Sequence, residues 1–212
     1  QSAKSVNGSK GFLAFNKAIA TELGTKLPSD CEAMTFHSLG FSAIKMQSRV
    51  SKVDNKKVYK IINSVLGKYK SAPALVKLVS LSKSSLVDAS DKESLLSLID
   101  EYDIEFDGLE DRSTALDYFP TIINNCMDLS TVDFDDMIWL PVIMDLPVRH
   151  YDTLFVDEAQ DFNEVQRKLI LKSCNGGRMI VVGDPKQAIY GFRGADSASM
   201  DMFHKTLSDS PR

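Results

Sequence analysis

The stretch Leu154-Phe155-Val156-Asp157-Glu158-Ala159-Gln160-Asp161 decides how the rest of the chain is read. An apolar run delivers two adjacent carboxylates, Asp157 and Glu158, at its C-terminal end. A run without polar alternation is expected of a strand covered on both faces, as in a parallel sheet flanked by helices. In open sheets of that kind, ligands bind outside the carboxyl ends of the strands. Adjacent Asp and Glu at that edge can divide a reaction. One can hold Mg²⁺, which prefers a few carboxylates plus phosphate oxygens. The other can orient and deprotonate a water aimed at a terminal phosphate. An Asp-Glu pair alone ends many solvated strands, so the specificity lies in the whole string.

Working outward, Arg178 to Val182 is a second continuous apolar run, ending at Gly183-Asp184, with a helical segment from Val165 to Leu171 before it. Near the N-terminus, Gly11 to Phe15 reads as a strand and Asn16 to Leu23 as a helix, with Gly24 as its stop. Cys31 to Phe36 reads as a strand, and His37 to Gln47 as a helix with Leu39, Ala43, Ile44 and Met46 apolar. Strands alternating with helices predict a parallel sheet. From Ser48 to Met127 the pattern turns helical. Val58, Ile61, Ile62, Val65 and Leu66 mark one helix, and Leu95, Leu96, Leu98 and Ile99 a second one capped by Asp91. Leu116, Phe119, Ile122, Ile123 and Cys126 mark a third, interrupted by Pro120. Ser80 to Ser85 and Asp103 to Asp111 read as connections. The expected organisation is a parallel α/β core in two parts, 1–45 and 130–212, split by an all-helical insert at 46–129.

At 212 residues, with 43% apolar and 25% charged, the chain fits one large or two small globular domains and not a disordered or fibrous class. No run approaches the ~20 apolar residues of a membrane span. Gln1 to Lys10 is polar and lacks the apolar core of a secretory leader. Cys31, Cys126 and Cys174 are too few and scattered for a disulfide scaffold or a zinc site, so reduced, buried thiols in a cytoplasmic protein are expected. Charge is uneven: residues 1–87 hold 14 Lys+Arg and 4 Asp+Glu, residues 88–164 hold 3 and 21, and residues 165–212 hold 8 and 4. Such asymmetry suits a polyanion on the basic side, or equally a solvated helical surface. The basic stretch from Lys45 to Lys83 carries the same two readings. Asp136 and Asp145 read as surface acids, and Phe36, Met137 and Trp139 as core. His150 and His204 show no partners that point to catalysis.

Several segments, taken together, resemble the superfamily 1 DNA helicases of the UvrD/Rep/PcrA type, and among them the branch with the F-box DNA helicases and phage or archaeal relatives. Val156 to Asp161 is similar to helicase motif II. Val182-Gly183-Asp184-Pro185-Lys186-Gln187-Ala188-Ile189-Tyr190-Gly191-Phe192-Arg193-Gly194-Ala195-Asp196 is similar to motif III. Thr35-Phe36-His37-Ser38-Leu39-Gly40 resembles motif Ib, and Ala14-Phe15-Asn16-Lys17-Ala18 resembles motif Ia. Phe134 to Pro141 resembles the segment leading back from the insert. The resemblance covers residues 11–200 in the correct order.

It implies a RecA-like parallel sheet of the P-loop NTPase type, ATP and Mg²⁺ as cofactors, and single-stranded DNA with single-strand/duplex junctions as partners. It further implies that Asp157 coordinates Mg²⁺, that Glu158 is the catalytic base, and that Asp184 and Gln187 complete the nucleotide site. It places Phe15, Asn16, Thr35, His37, Tyr190, Phe192 and Arg193 against DNA. Three residues have a plainer alternative: His37 as a helix cap, and Phe15 and Phe36 as core. The phosphate-binding loop G-x-x-x-x-G-K-[ST] is absent from this sequence. The family's second motor domain is absent as well. The expectation is therefore a fragment of an ATP-dependent DNA helicase whose remaining domains lie elsewhere in the parent chain. The alternative is an ATPase-dead module that binds DNA or a basic protein.

Overall fold

The computed structural model describes residues 8–14, 16–49, 52–174 and 176–184. Four strands, β1 (Lys10–Ala14), β2 (Cys31–Thr35), β5 (Thr153–Val156) and β6 (Arg178–Val181), form one wholly parallel sheet in the order β2-β1-β5-β6. β5 is buried along its whole length, as its unbroken apolar run predicts. β6 is only half-buried and forms the outer strand among the described residues. Helices α1 (Lys17–Lys26), α2 (Phe36–Gln47), α7 (Phe134–Ile143) and α8 (Glu164–Ser173) complete this part. The sheet is the parallel α/β arrangement expected of a RecA-like core.

Between its two halves the chain leaves and returns through a neck. There the two-residue strands β3 (Lys52–Val53) and β4 (Thr131–Val132) pair in parallel, Lys52 opposite Thr131 and Val53 opposite Val132. Four helices lie between them: α3 (Lys57–Leu66), α4 (Ala72–Ser85), α5 (Lys92–Glu101) and α6 (Leu109–Cys126). Asp91 caps α5, accepting the Ser94 N–H as its position in the sequence suggests.

Four local expectations differ from the structure. α1 continues through Gly24 to Lys26. Ser80 to Ser85 is not a connection but the last turns of α4, because Leu75, Leu78, Val79 and Leu81 bury an apolar stripe that carries the helix past its serines. The Ser84 hydroxyl is satisfied inside that helix by the Leu81 carbonyl at 2.8 Å. α6 begins at Leu109, within the segment read as a connection, and runs through Pro120. Its buried stripe of Ala115, Leu116, Phe119, Ile122, Ile123 and Cys126 outweighs the one ladder bond that proline removes.

The largest departure is Asp136, which is wholly buried (0% exposed) where a surface acid is expected. Two lysines of the basic stretch meet it. Lys57 Nζ donates to Asp136 Oδ2 at 2.7 Å and Lys83 Nζ to Asp136 Oδ1 at 2.7 Å. Lys57 also donates to the carbonyls of Cys126 and Asp128 at 2.6 and 3.0 Å, and Lys83 to Asp133 Oδ2 at 3.3 Å. Asp133 is the N-cap of α7 in a reciprocal capping box with Asp136. Burial works against the Lys83 ammonium, but the surrounding charges of Cys126, Asp136 and Asp133 outweigh it and raise its pKa. Burial pushes the Cys126 thiol up to about 11, so at neutral pH the two carboxylates supply that pull. Phe36, Met137 and Trp139 are core residues, as expected.

α2 and α7 pack closely because of Gly40. A Cβ there would sit 1.9 Å from the Met137 carbonyl oxygen, so only glycine lets the two backbones touch. The helices that flank the sheet edge are thus fixed by one close backbone contact and one buried charge cluster.

Removing one partner of a buried ion pair strands the others. Asp136→Ala should therefore lower the stability of the chain by about 3–5 kcal/mol. Urea denaturation followed by far-UV circular dichroism checks this, and a change below about 1 kcal/mol would show that the cluster is not buried in solution.

Candidate functional site

All four strands of the main sheet run the same way, so their carboxyl ends share one edge. Asn16 follows β1, Thr35 and His37 end or follow β2, Asp157 and Glu158 follow β5, and Asp184 lies three residues past β6. Of the residues singled out from the sequence, these six fall on that edge. Phe15, Gln187, Tyr190, Phe192 and Arg193 lie outside the described residues.

The carboxylate pair sits on a strained turn. Glu158 has φ 56° and ψ 40°, the left-handed region that a non-glycine residue seldom occupies and that clusters at functional sites. This turns the backbone away from the strand line and leaves Asp157 half-buried and Glu158 exposed. Asp157 Oδ1 accepts the Glu158 N–H at 3.0 Å. Gln160 Nε2 donates to Glu158 Oε2 at 2.7 Å, while Gln160 Oε1 accepts the Asp184 N–H at 3.0 Å. The Ala159 N–H also donates to the Val182 carbonyl at 3.1 Å. One buried side-chain amide, Gln160, therefore ties the carboxylate of one strand end to the backbone past the next. Gln160 stands in the motif II string, yet nothing in its spacing distinguishes it from a solvated residue. Its role emerges only once β5 and β6 are neighbours.

Among the described residues no group of three or more His, Cys, Asp or Glu could hold a metal ion. That donor set does not suit a cation held by protein ligands alone. It does suit Mg²⁺ brought in with phosphate, which needs only one or two carboxylates and keeps several waters. Asp157, next to the exposed Glu158, meets that requirement.

Asn16, Thr35 and His37 line a groove of about 1240 Å³ between the sheet edge and helices α4 and α7. Asp157 and Glu158 are not part of its lining, so the groove is separate from the carboxylate turn. Two of these groove residues also cap helices. Asn16 Oδ1 accepts the Ile19 N–H at 2.9 Å, and Thr35 Oγ1 accepts the Ser38 N–H at 3.2 Å. His37 is not the cap of α2, since Thr35 is. The N-cap of α8, Asn163, lines the groove too. Three helix N-termini thus open on one cleft, each presenting the positive end of its dipole.

The groove also contains an aromatic pair. The His37 and Phe134 rings meet edge-on, with centroids 5.6 Å apart and planes at 89°. Phe134 is 51% exposed. Of the basic stretch, only Lys77 lines the groove, and its Nζ donates to the Tyr102 carbonyl at 2.6 Å. Lys57 and Lys83 serve the buried cluster instead.

The family described as UvrD/REP helicase N-terminal domain matches residues 13–208. The chain belongs to that family. It is a family of DNA helicases, as the sequence resemblance implies. The chain is 38% identical over 76 residues to one subunit of an ATP-dependent helicase/nuclease from Oenococcus oeni, covering 32% of this chain and 6% of that protein. It is 46% identical over 61 residues to a probable DNA helicase II homolog of Mycoplasma capricolum, covering 28% and 8%. It is 26% identical over 201 residues to F-box DNA helicase 1 of Gallus gallus, covering 87% of this chain and 20% of that protein. The chain thus spans only a small part of the length of the relatives it matches.

Asn16→Ala should cost about 1 kcal/mol through the lost α1 cap, whereas Asn16→Asp should retain the cap. Thermal unfolding of both variants checks this. Equal loss in both would mean that the Asn16 side chain is held by something other than the Ile19 N–H.

Proposed function

We propose that this chain is part of a motor that uses ATP to move along single-stranded DNA and open duplex. The observation that carries the reading is the shared sheet edge, where a carboxylate turn and a separate aromatic-bearing groove lie side by side. In this motor, residues 1–45 and 130–212 form the core and residues 46–129 a helical subdomain. The parent protein supplies the remaining helicase domains, and the DNA it meets includes single-strand/duplex junctions. We place it in the cytoplasm, which the free, buried Cys31, Cys126 and Cys174 support. No described helix is long and apolar enough to cross a membrane.

In the hydrolytic step Asp157 would hold the Mg²⁺ of Mg-ATP, which would neutralise charge on the phosphate oxygens. Glu158, held by Gln160, orients the attacking water and accepts its proton. Asp184 and Gln187 belong to the same nucleotide network. Gln160 joins the base to the backbone at Asp184, the start of the segment that carries Gln187, Tyr190, Phe192 and Arg193. A rearrangement at the nucleotide thereby has a mechanical route to the DNA-facing residues.

In the groove Asn16, Thr35 and His37 face the strand, and Phe15, Tyr190, Phe192 and Arg193, outside the described residues, are assigned to the same strand by the family's motifs. Phe134 joins them, because its exposed ring can receive a base. Stacking on such a ring is sequence-tolerant, as a translocating motor requires.

The chain should bind single-stranded DNA weakly at low salt, with affinity falling steeply as salt rises because counterions are released. His37→Ala, Phe134→Ala and Phe192→Ala should each weaken binding roughly five- to a hundredfold, the equivalent of one stacking contact. Fluorescence anisotropy with a labelled oligonucleotide reads this, and absence of binding at low salt would sink the DNA assignment. The sequence carries no phosphate-binding loop, so this chain by itself should show no significant ATP hydrolysis. A phosphate-release assay checks it. DNA-stimulated turnover that disappears in Glu158→Gln would overturn that expectation.

A further inference from the structure

The groove wall opposite the sheet edge is built by α4 and α7. Ser80, Leu81 and Ser84 face it from the first helix, Phe134, Asp135 and Ile138 from the second. The acids around Phe134 are gripped from α4. Ser80 Oγ donates to Asp135 Oδ2 at 2.7 Å. One turn further along α4, Lys83 Nζ reaches Asp136 Oδ1 at 2.7 Å and Asp133 Oδ2 at 3.3 Å. Phe134 lies between Asp133 and Asp135, so its backbone is held on both sides by a single face of the insert helix. An exposed aromatic on an untethered helix end would sample several orientations, and a ligand that stacks on it would have to freeze them. Here the ring already stands edge-on to His37. Lys83 itself is 1% exposed and cannot touch a strand in the groove.

We propose that Lys83 is a positioning residue for strand binding: through Asp133 and Asp136, and together with the Ser80 tether on Asp135, it holds Phe134 against His37 in the geometry that receives a base. This role rests on the DNA-binding reading of the groove. It gives the buried charge cluster a task beyond stability, because the helical insert then sets the shape of the groove at a distance.

The test compares Lys83→Met, which keeps the stem and removes the charge, with Lys83→Arg, which keeps the charge. Each variant's folding is checked by circular dichroism, its affinity for a labelled oligo(dT) is measured across a salt series, and its His37 ring protons are observed by NMR. Lys83→Met should bind about tenfold more weakly, with Lys83→Arg within about twofold of the parent, an effect comparable to part of a stacking contact. The salt dependence should not change, since no phosphate contact is lost. The His37 signals should move, as the Phe134 ring current leaves them. A folded Lys83→Met that binds within about twofold of the parent, with unmoved His37 signals, overturns the inference.

If Phe134→Ala weakens binding and Lys83→Met does not, the DNA reading stands and the positioning role alone is overturned. If the parent chain binds no DNA, both fall. Should Lys83→Met fail to fold, Ser80→Ala takes its place. It unties Asp135 at an exposed position and should shift the His37 signals and weaken binding about threefold. Unmoved signals there overturn the inference as well.

Discussion

The structure depends on one carboxylate. Asp136 accepts from two buried ammonium groups, Lys57 and Lys83, and from the backbone N–H of Asp133. It joins the first residue of α3, the end of α4 and the first turn of α7 at a single point. Taking charges out of water costs several kcal/mol each, and the attraction between them repays this only when the remaining donors and acceptors are satisfied. Here they are: Lys57 gives its other hydrogens to the carbonyls of Cys126 and Asp128, and Lys83 reaches Asp133. An apolar cluster of the same volume could match that stability, but it would tolerate sliding. The directional bonds fix which turn of α4 meets which turn of α7, and therefore where Phe134 stands.

That constraint explains why the groove and the carboxylate turn can coexist on one edge without merging. The turn is anchored to the sheet through Gln160 and the backbone of Val182. The groove is anchored to the insert through Asp133, Asp135 and Asp136. α2 spans the two, starting at the Thr35 cap beside the strand end and pressed onto α7 at Gly40. The N-caps of α1, α2 and α8 border a groove that also carries Lys17 and Lys77 and the acids Glu101, Asp103 and Asp135, so the positive ends of the helix dipoles are set among side chains of both signs.

Much of this is legible in the sequence because it rests on short-range pattern. The unbroken apolar runs of β5 and β6, the carboxylates after β5 and the change of period beyond Ser48 each follow from neighbours along the chain. The rest depends on partners far away in sequence. Nothing near Asp136 announces Lys57 or Lys83, so an acid at a helix start reads as solvated. Nothing near Gln160 announces Asp184. Serine density makes Ser80 to Ser85 look like a connection, while the burial of Leu78, Val79 and Leu81 decides for helix. Phe134 stands in a segment legible only as the return from the insert, and the packed fold is what leaves its ring exposed beside His37.

The neck between β3 and β4 has a consequence for how the chain assembles. The insert's four helices follow one another directly, and its exit is pinned beside its entrance by Lys57 and the short parallel pair. It can therefore collapse as a local unit. The sheet cannot, because β1 pairs with β5 at Lys10 and Thr153, across the whole insert. Contacts of such long sequence separation form slowly. During synthesis at roughly 5–20 residues per second, β1 and β2 would emerge on the order of ten seconds before the strand that completes them. For that interval Leu13, buried in the finished sheet opposite Val156, has no neighbour on the β5 side. The architecture that lets a helical arm shape the groove also leaves half of the sheet waiting for its centre, a window in which a chaperone or a misfolding partner can act.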